Sequence, residues 1–538
     1  FWQTYKNCAA GLSGPRRSWI NGSSNIGKHR NKPCLATLRE RYDMADNLPN
    51  ILVIMSDEHG PMFSGTYGHP IVETPSMDRL ADEGTTFENG YCNSPLCTPS
   101  RLSFMTGKYV SHCQGWDNST PLDVGRITWP WLLKTKGYDT VLNGKMHMMG
   151  PRPLNGFDMQ LTHDPHAATA PEVLRWDDGV TKADSGFTTQ EPGSVFPEKD
   201  PSGHANQRWA SVIEAGPGRS EVIDHDDMVE DAAHEYMRDQ DRKEKPWAMV
   251  CGFISPHFPL IVPEPYFSQY YPDNTDLPNN PPGHLENLPP AARRLQKYTG
   301  TAGPYTDDEL RRARAAYYGM ISFLDDKIGR LLDTLEETGQ RENTVVIHTS
   351  DHGEMAGEHG LWRKMNFYEQ AARVPLQISW PGRLPEGKRV LEATSNVDFV
   401  ATLLDIVGID PAAWDMDGDS FLQYLQGTED TLKDEVICEY LAHGTDGPRI
   451  MVRQGEWKLS YTHRDPPEFE LYNLKDDPGE FENLADRQET KVVQDRLFTR
   501  AMEVWRGDPD GVDQRVRESQ KERYLLREIT GTGENRLF

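Results

Sequence analysis

Four short runs of β-branched and other apolar residues recur along the chain, and ionisable residues follow each run. The runs are NILVIMS, YDTVLNG, PWAMVCG and TVVIHTS, and helical patterns lie between them. Strands that alternate with helices are typical of a mostly parallel sheet. The carboxyl ends of parallel strands meet at one edge, where open α/β folds bind ligands. The pattern therefore predicts an α/β domain with a large mixed, mostly parallel sheet between helices and a functional site at that edge.

The remaining segments suggest how the chain is organised around this sheet. The longest helical pattern begins at Thr306, where Glu309 completes a capping box, and ends at Gly339. Its Asp325-Asp326 pair is interpreted as part of a solvated face. Segments 162–222 and 263–306 are polar and rich in proline and glycine. They are predicted to be long loops over the sheet edge, where substrate selection commonly takes place.

The pattern changes near the C-terminus, and it also differs at the N-terminus. VICEYL, PRIMVRQGEWKLSYT and FELYNL predict a small antiparallel sheet, and a highly charged helical pattern follows. At the N-terminus, Met44 resembles a natural start. We therefore predict an N-terminal extension, non-native or poorly ordered, over residues 1–45, a catalytic α/β domain over 46–430, a small antiparallel subdomain over 431–485 and a helical tail over 486–538.

Composition excludes several classes of protein. Acidic residues outnumber basic ones by 83 to 57, which argues against nucleic acid as a partner because phosphates require Lys and Arg. No apolar run is long enough to cross a bilayer. The seven cysteines are odd in number and form no CxxC pair, so neither a disulfide framework nor a zinc site is indicated. Six of them are interpreted as free thiols, and with no export signal recognised the sequence predicts a cytoplasmic protein.

The ends of the first and last of the four strands carry acidic residues that suit a metal ion. Asp57 and Glu58 follow the first strand, and Asp351 and His352 follow the last. Such an oxygen-rich set favours calcium, magnesium or manganese over zinc. The alternative is that Asp57 and Asp351 are ordinary capping residues. The residues alone leave both interpretations open.

Cationic and proton-transferring side chains follow the other strands or lie further along the chain. They are Lys145, His147, His257 and Lys364. A tetrahedral anion needs several such donors, and the departure of a leaving group needs an acid. Taken singly, each lysine is better explained as a surface residue and each histidine as a buried structural one.

The segment NSPLCTPSRLSFMTGK, residues 93–108, contains the most unusual candidate, Cys97. Pro99 suits the first turn of a helix, which places Cys97 at a helix N-terminus with Arg101 one turn further on. That position favours an anion or a thiol of lowered pKa. A thiolate nucleophile fits this position, but it is an unusual choice beside a divalent ion and no Cys/His pairing is visible. From the residues alone, nucleophile, metal ligand and other roles stay open.

The same segment resembles the signature of the formylglycine-dependent sulfatases, a family of the alkaline phosphatase superfamily. In that family a dedicated enzyme or radical system oxidises the signature cysteine to formylglycine, and Pro99, Ser100 and Arg101 are interpreted as partly a sequence that it recognises. GKMH, SPHFP, SDHG and GLWRKMNFYEQAARVPL occur in family order, and the resemblance extends over about residues 50–484. GKMHMMGPRPLNGF and the C-terminal VRESQKERYLL are most similar to the choline-sulfatase and phosphonate monoester hydrolase branch.

The resemblance implies a set of site residues. It implies one divalent ion, calcium first and magnesium or manganese as alternatives, bound by Asp57, Glu58, Asp351, His352 and the formylglycine oxygen at position 97. It also implies that Arg101 and Lys108 hold the formylglycine, that Lys145, Lys364 and His257 serve the sulfate and the leaving group, and that His147 is the base. One hydroxyl of the hydrated aldehyde would attack sulfur, and His147 would deprotonate the other to expel sulfate.

The predicted function is hydrolysis of a small-molecule sulfate monoester to an alcohol and inorganic sulfate. A phosphonate monoester or phosphodiester hydrolase with the same site is the alternative, and a catalytically silent relative is a third hypothesis. Asn155 stands where choline-sulfatases usually have a histidine; Trp116, Trp362 and Tyr368 are interpreted as buried rather than as facing a quaternary ammonium. The expected partners are a formylglycine-generating enzyme and, through the tail, further copies of the chain in a dimer or tetramer.

Overall fold

The computed structural model describes residues 48–150, 152, 154–165, 211–239 and 245–530, with side chains up to residue 523. The predicted N-terminal extension over 1–45 and most of the predicted loop over 162–222 lie outside the described residues. Among the described helices, none combines the length and the apolar character that crossing a membrane requires.

The described strands are numbered in chain order. They are β1 (Asn50–Ser56), β2 (Thr85–Phe87), β3 (Gly90–Tyr91), β4 (Asp139–Gly144), β5 (Met159–Gln160), β6 (Gly216–Pro217), β7 (Trp247–Gly252), β8 (Ile261–Val262), β9 (Thr344–Ser350), β10 (Leu376–Ser379), β11 (Lys388–Val390), β12 (Thr394–Ser395), β13 (Glu435–Tyr440), β14 (Arg449–Gln454), β15 (Trp457–Thr462) and β16 (Glu468–Asn473).

The described α-helices follow the same order. They are α1 (Pro75–Asp82), α2 (Cys97–Thr106), α3 (Val110–Cys113), α4 (Trp129–Lys134), α5 (Glu221–Arg238), α6 (Glu264–Ser268), α7 (Pro290–Thr299), α8 (Asp307–Glu337), α9 (Glu369–Ala372), α10 (Asn396–Ile406), α11 (Leu422–Leu425), α12 (Lys491–Val504) and α13 (Pro509–Thr530).

Eight strands form the large sheet, in the order β11-β2-β10-β9-β1-β7-β4-β5. The strands from β9 to β5 pair in parallel, β10 is antiparallel to both of its neighbours, and β11 is parallel to β2. Strands β13 to β16 form a separate antiparallel sheet. The predicted fold class, a mostly parallel mixed sheet flanked by helices with a small C-terminal antiparallel sheet, is confirmed.

Strand β1 lies near the middle of the large sheet, and all seven of its residues are buried. Leu52 and Ile54 pack with Leu324 and Ile328 of α8 in one apolar cluster. Val53 is equally buried, and the alternation of side chains along a strand directs it to the opposite face. Burial on both faces is typical of parallel strands, and it explains why β1 is a continuous apolar run.

Helix α8 matches the predicted helix, including the capping box between Thr306 and Glu309. The interpretation of its acidic pair as a solvated face is wrong for one member. Asp325 is buried, and its carboxylate accepts hydrogen bonds from the backbone N–H groups of Ser76 and Met77, both at 2.8 Å. It thereby satisfies two of the donors that the first turn of α1 leaves unpaired. Burial raises the pKa of Asp325 to about 7.

The predicted long loop over 263–306 is also corrected, because it contains α6 and α7. Both helices have a proline within their first two positions. Proline is tolerated there because its missing N–H has no partner in the first turn. Pro265 and Pro290 therefore lie in the first turns of helices, where proline does not prevent helix formation.

Helix α12, the last but one of the described helices, packs against β14 and β15 of the small sheet. Just after α12, the Trp505 indole N–H donates a hydrogen bond to the buried Glu439 carboxylate of β13 at 2.6 Å. Nearby, both ring nitrogens of His112 face acceptors, the Asp417 carboxylate at 2.8 Å and the Val504 carbonyl at 3.0 Å. An imidazole with two acceptors is best satisfied when both nitrogens carry protons.

We expect Asp325→Ala to destabilise the fold by about 1–3 kcal/mol, because two buried N–H groups lose their acceptor. The neighbouring Asp326 is the matched control, since its carboxylate accepts only an exposed hydrogen bond from the Tyr266 hydroxyl. Asp326→Ala should change the free energy of unfolding by about 0.5 kcal/mol or less. Urea denaturation of both variants measures the difference, and equal losses would contradict the capping role.

We expect the stability of the protein to depend on the protonation of His112. The hydrogen bond to Asp417 raises the pKa of His112 in the folded state. The stabilisation that the protonated His112 gives the folded state is therefore complete below the unfolded pKa of about 6.5, and it is lost as the pH rises through the folded pKa. His112→Gln should remove about 0.5–1 kcal/mol at pH 6 and less at pH 9. Urea denaturation at several pH values gives the free energy of unfolding of the variant and of the wild type. A difference between them that stays the same from pH 6 to pH 9 would refute this.

Candidate active site

The carboxyl ends of β1 and β9 bring Asp57 and Asp351 together. The two strands pair in parallel with Ser56 opposite Ser350, and the Asp351 N–H donates to the Ser56 carbonyl at 3.3 Å. His352 follows directly. All three ionisable side chains are buried. Their adjacency follows from strand pairing, as the sequence pattern predicts.

Helix α2 places Cys97 beside these residues. The helix begins at Cys97 itself, after Leu96 in an extended conformation, and all ten of its residues are buried. The Cys97 sulfur lies 3.2 Å from His352 Nε2. Asp57, Cys97, Asp351 and His352 each offer one ligand atom, and these atoms lie within 4.8 Å of one another. We call these four residues the ligand cluster.

Arg101 holds the two carboxylates of the ligand cluster in place. Its Nε donates to Asp351 at 2.8 Å, its Nη2 to Asp57 at 3.1 Å and its Nη1 to the Lys145 carbonyl at 2.8 Å. The Ser100 hydroxyl donates to the Asp351 carbonyl at 2.5 Å. Ser100 therefore has a structural contact in the site, besides the recognition role that the sequence assigns to it.

The ligand cluster suits a divalent cation. Among the described residues, no donor forms a hydrogen bond with the buried Oδ1 of Asp57. Burial opposes a charged imidazole at His352, but the Asp351 carboxylate and the Cys97 sulfur outweigh it and raise the pKa of His352 to about 10. The carboxylates thus attract positive charge to the centre. A metal ion would supply that charge and replace the proton, since histidine binds metals in its neutral form.

Glu58 lies in a second group, beside the ligand cluster. Its carboxylate is 2.5 Å from Lys364 Nζ and 3.6 Å from His257 Nε2, and it accepts the Phe258 N–H at 3.4 Å. Burial acts to raise the pKa of Glu58, but His257 and Lys364 lower it to about 2. The side chain is therefore ionised. The structure places Glu58 against the cations instead of among the four ligands.

The cationic residues differ in protonation. Despite its burial, Lys145 pairs with Asp57, which raises its pKa, and Lys364 likewise has a raised pKa beside the Cys97 sulfur and Glu58. Burial lowers the pKa of His257 to about 3 even though Glu58 opposes this. Burial, reinforced by Lys145 and Arg101, holds the pKa of His147 well below its usual range. These four side chains thus present two ammonium groups and two neutral imidazoles.

Lys108 is the one predicted site residue that the structure keeps away from this group. It follows the far end of α2, and its ammonium binds the carbonyl and carboxylate of Asp415, the latter at 2.9 Å. A helix of ten residues separates its ends by about 15 Å. Lys108 therefore contacts a loop near the surface, and Arg101 makes the contacts at the ligand cluster.

Two buried aspartates that the sequence interpretation missed fix the loops after β4 and β7. Asp164 accepts the N–H groups of Met146 at 2.8 Å and His147 at 2.5 Å. Asp226 accepts those of Ile254 at 2.7 Å and Ser255 at 2.9 Å, just past the end of β7. In the sequence, Asp226 falls on the apolar face of the helical pattern of α5, together with Val222, Ile223 and Val229. An acidic residue on an apolar face is the signal that could have identified it.

The three aromatic residues considered for a quaternary ammonium are buried. Trp116, Trp362 and Tyr368 are all less than 5% exposed. Trp362 packs edge-on against Phe258, and Tyr368 stacks on His359. The interpretation of all three as core residues agrees with these contacts.

Comparison with known proteins fits this site. A family model described as "Sulfatase" matches residues 49–409, which is more than half of the chain. The chain belongs to the sulfatase family. The C-terminal region of N-sulphoglucosamine sulphohydrolases gives a second match, over residues 357–506 of this sulfatase.

Relatives of this sulfatase cover nearly its whole length. A choline-sulfatase of Rhizobium meliloti is 33% identical over 91% of the chain and 93% of its own length. An arylsulfatase of Clostridium perfringens is 31% identical over 84% of the chain and 92% of its own length. The phosphonate monoester hydrolase of Agrobacterium radiobacter shares the fold, with a TM-score of 0.66 at 24% identity over 85% of the chain and 96% of its own. The protein is thus a sulfuric ester hydrolase.

We expect Asp351→Asn to lose bound divalent metal, because Asp351 belongs to the ligand cluster. Glu58→Gln should retain it, since Glu58 faces Lys364 and His257, yet activity should fall in both variants by about a hundredfold or more. Metal content by mass spectrometry and hydrolysis of an aryl sulfate measure the two effects. Loss of metal in Glu58→Gln equal to that in Asp351→Asn would assign Glu58 to the metal.

Proposed function

We propose that this sulfatase hydrolyses a small-molecule sulfate monoester to an alcohol and inorganic sulfate, with a formylglycine derived from Cys97 and one divalent metal ion. The observation that carries the proposal is the ligand cluster. It places Cys97 at the start of a buried helix, within 4.8 Å of two carboxylates and an imidazole. Its oxygen-rich composition favours calcium first, then magnesium or manganese.

Asp57, Asp351 and His352 would hold the metal ion together with the group at position 97. The hydrated aldehyde would supply the attacking hydroxyl, and the metal would lower the pKa of that hydroxyl. Arg101 orients both carboxylates and so fixes the position of the ion. The buried ammonium groups of Lys145 and Lys364 would neutralise the sulfate oxygens as charge develops in the transition state.

The histidines would move the protons. A neutral His147 can accept a proton from the group at position 97 when sulfate leaves. His257 is neutral in the free enzyme, but a bound sulfate would bring negative charge beside it and raise its pKa. In the first step, the attacking hydroxyl would form a new O–S bond while the S–O bond to the alcohol breaks, and the leaving oxygen would take its proton from His257 or Lys364; His147 would act in the second step, when sulfate leaves.

The substrate class is an alkyl or aryl sulfate ester. The choline-sulfatase and arylsulfatase relatives support a small alcohol or phenol. The burial of Trp116, Trp362 and Tyr368 removes these three rings as a cage for choline. A phosphonate monoester or phosphodiester is the second candidate, favoured by the shared fold of the phosphonate monoester hydrolases.

Maturation, location and assembly complete the proposal. A formylglycine-generating enzyme would convert Cys97. The described cysteines Cys92, Cys97, Cys113, Cys251 and Cys438 are free thiols, which supports a reducing compartment and hence the cytoplasm. The predicted tail over 486–538, which the structure describes up to residue 530, would join copies of the chain in a homo-oligomer.

We expect the Cys97 peptide from the native host to carry formylglycine, and Cys97→Ala to lose activity by about a thousandfold or more. Peptide mass analysis and rates on choline sulfate, an aryl sulfate, a sugar sulfate and a phosphonate ester measure this. Cys97→Ser is the matched control, because serine could complete one transfer but could not release the sulfate.

An unmodified Cys97 in a fully active enzyme would overturn the formylglycine proposal. Faster hydrolysis of the phosphonate ester than of every sulfate ester would instead favour the second candidate.

A further inference from the structure

A short loop after α3 connects the C-terminal helix to the active site. Asp117 lies in this loop and forms a buried ion pair with Arg523 of α13. Arg523 also donates to the Thr120 hydroxyl at 3.2 Å, and Gln520 donates to Asp117 at 3.4 Å. Gln520 is 3% exposed and Arg523 is 9% exposed, so this part of α13 is covered by the catalytic domain.

The loop is tightly organised around Asp117. The second carboxylate oxygen of Asp117 accepts hydrogen bonds from the Ser119 N–H at 3.1 Å and the Thr120 hydroxyl at 2.9 Å. Burial acts to raise the pKa of Asp117, but Arg523 and the Thr120 hydroxyl hold it below its ordinary value. The loop thus depends on an ionised aspartate that α13 neutralises.

The other side of the loop contacts the first turn of α2. The Asn118 side-chain oxygen accepts the backbone N–H of Thr98 at 3.0 Å, and the Asn118 carbonyl accepts the Thr98 hydroxyl at 3.2 Å. That hydroxyl also lies 3.5 Å from the His147 carbonyl. Thr98 directly follows Cys97, so Asn118 satisfies one of the donors at the N-terminus of the helix that carries the reacting group.

We propose that Arg523 and Asp117 are positioning residues for catalysis: through Asn118, the ion pair from the C-terminal helix sets the orientation of Cys97 and of the His147 backbone. The proposal rests on the function proposed above, in which position 97 carries the reacting group. None of the three residues is in the ligand cluster, so they act through the first turn of α2.

The size of the effect follows from geometry. Attack on sulfur requires the group at position 97 to stay aligned with both the metal and the leaving oxygen. A displacement of about 1 Å at such a site can cost about a hundredfold in rate. Arg523 and Asp117 are 406 residues apart in sequence, so only the folded tail can bring them together.

The test compares Arg523→Ala with Arg517→Ala. Arg517 lies on the same helix and pairs with Asp513 at 2.7 Å, but its side chain is 45% exposed. We expect Arg523→Ala to lower kcat for an aryl sulfate by about tenfold or more and to change KM by less than about twofold. The kcat is expressed per formylglycine measured in the sample. Added guanidinium ion should restore part of this kcat. Arg517→Ala should keep wild-type kcat and not respond to guanidinium.

Hydrogen exchange gives an independent readout. The peptide that contains Thr98 should exchange faster in Arg523→Ala than in wild type and in Arg517→Ala. If Arg523→Ala does not fold, Asp117→Asn replaces it, since the amide keeps the shape of the side chain and removes its charge. The proposal would be overturned if Arg523→Ala or Asp117→Asn kept wild-type kcat and wild-type hydrogen exchange. An equal loss of kcat in Arg517→Ala would overturn it as well.

The outcomes separate this inference from the proposed function. A wild-type enzyme without sulfatase activity would refute the proposed function, whereas the exchange of the Thr98 peptide would still test the coupling. An active wild type whose Arg523 and Asp117 variants are unaffected would refute the coupling alone.

Discussion

The buried contacts of Arg101 hold the active site together. Two carboxylates from strands almost 300 residues apart lie side by side in the interior, where uncompensated negative charge is costly. Arg101 donates to both and also to the backbone before Met146, so one planar guanidinium fixes three segments of chain. Arginine suits this role because it stays charged and presents several donors in a rigid plane. A lysine would have to serve the same three acceptors from a single nitrogen.

The neighbouring charges follow from this arrangement. The chain has a formal net charge of −26, yet lysines, an arginine and histidines converge at the sheet edge where the proposed function places the sulfate. Each ammonium is held by a carboxylate, Lys145 by Asp57 and Lys364 by Glu58. Both buried ammonium groups are therefore already paired with a carboxylate before an anion binds. The acidic residues of the site therefore stabilise the cations, and in the proposed function they also hold a metal ion.

Much of this could be predicted from the sequence. Strands such as β1 are buried on both faces, so they are continuous apolar runs with recognisable ends, and the residues just past those ends meet at one edge. Asp57, Asp351 and His352 are therefore close together, as expected, and the helix at Cys97 begins where Pro99 suggests. Partnerships over long sequence separations are different. Nothing local indicates that Asp325 caps α1, that Lys108 binds Asp415, or that Glu58 faces Lys364.

The loop around Asp117 shows why such partnerships escape local interpretation. Its sequence, DNST, has the composition of an ordinary polar turn, and the turn itself satisfies much of it. Its importance comes from two neighbours that only the fold provides, Arg523 on one side and the N–H of Thr98 on the other. A buried aspartate that must stay ionised makes the turn dependent on a distant arginine. The C-terminal helix, which the sequence alone associates with assembly, thereby contacts the loop that holds the first turn of α2.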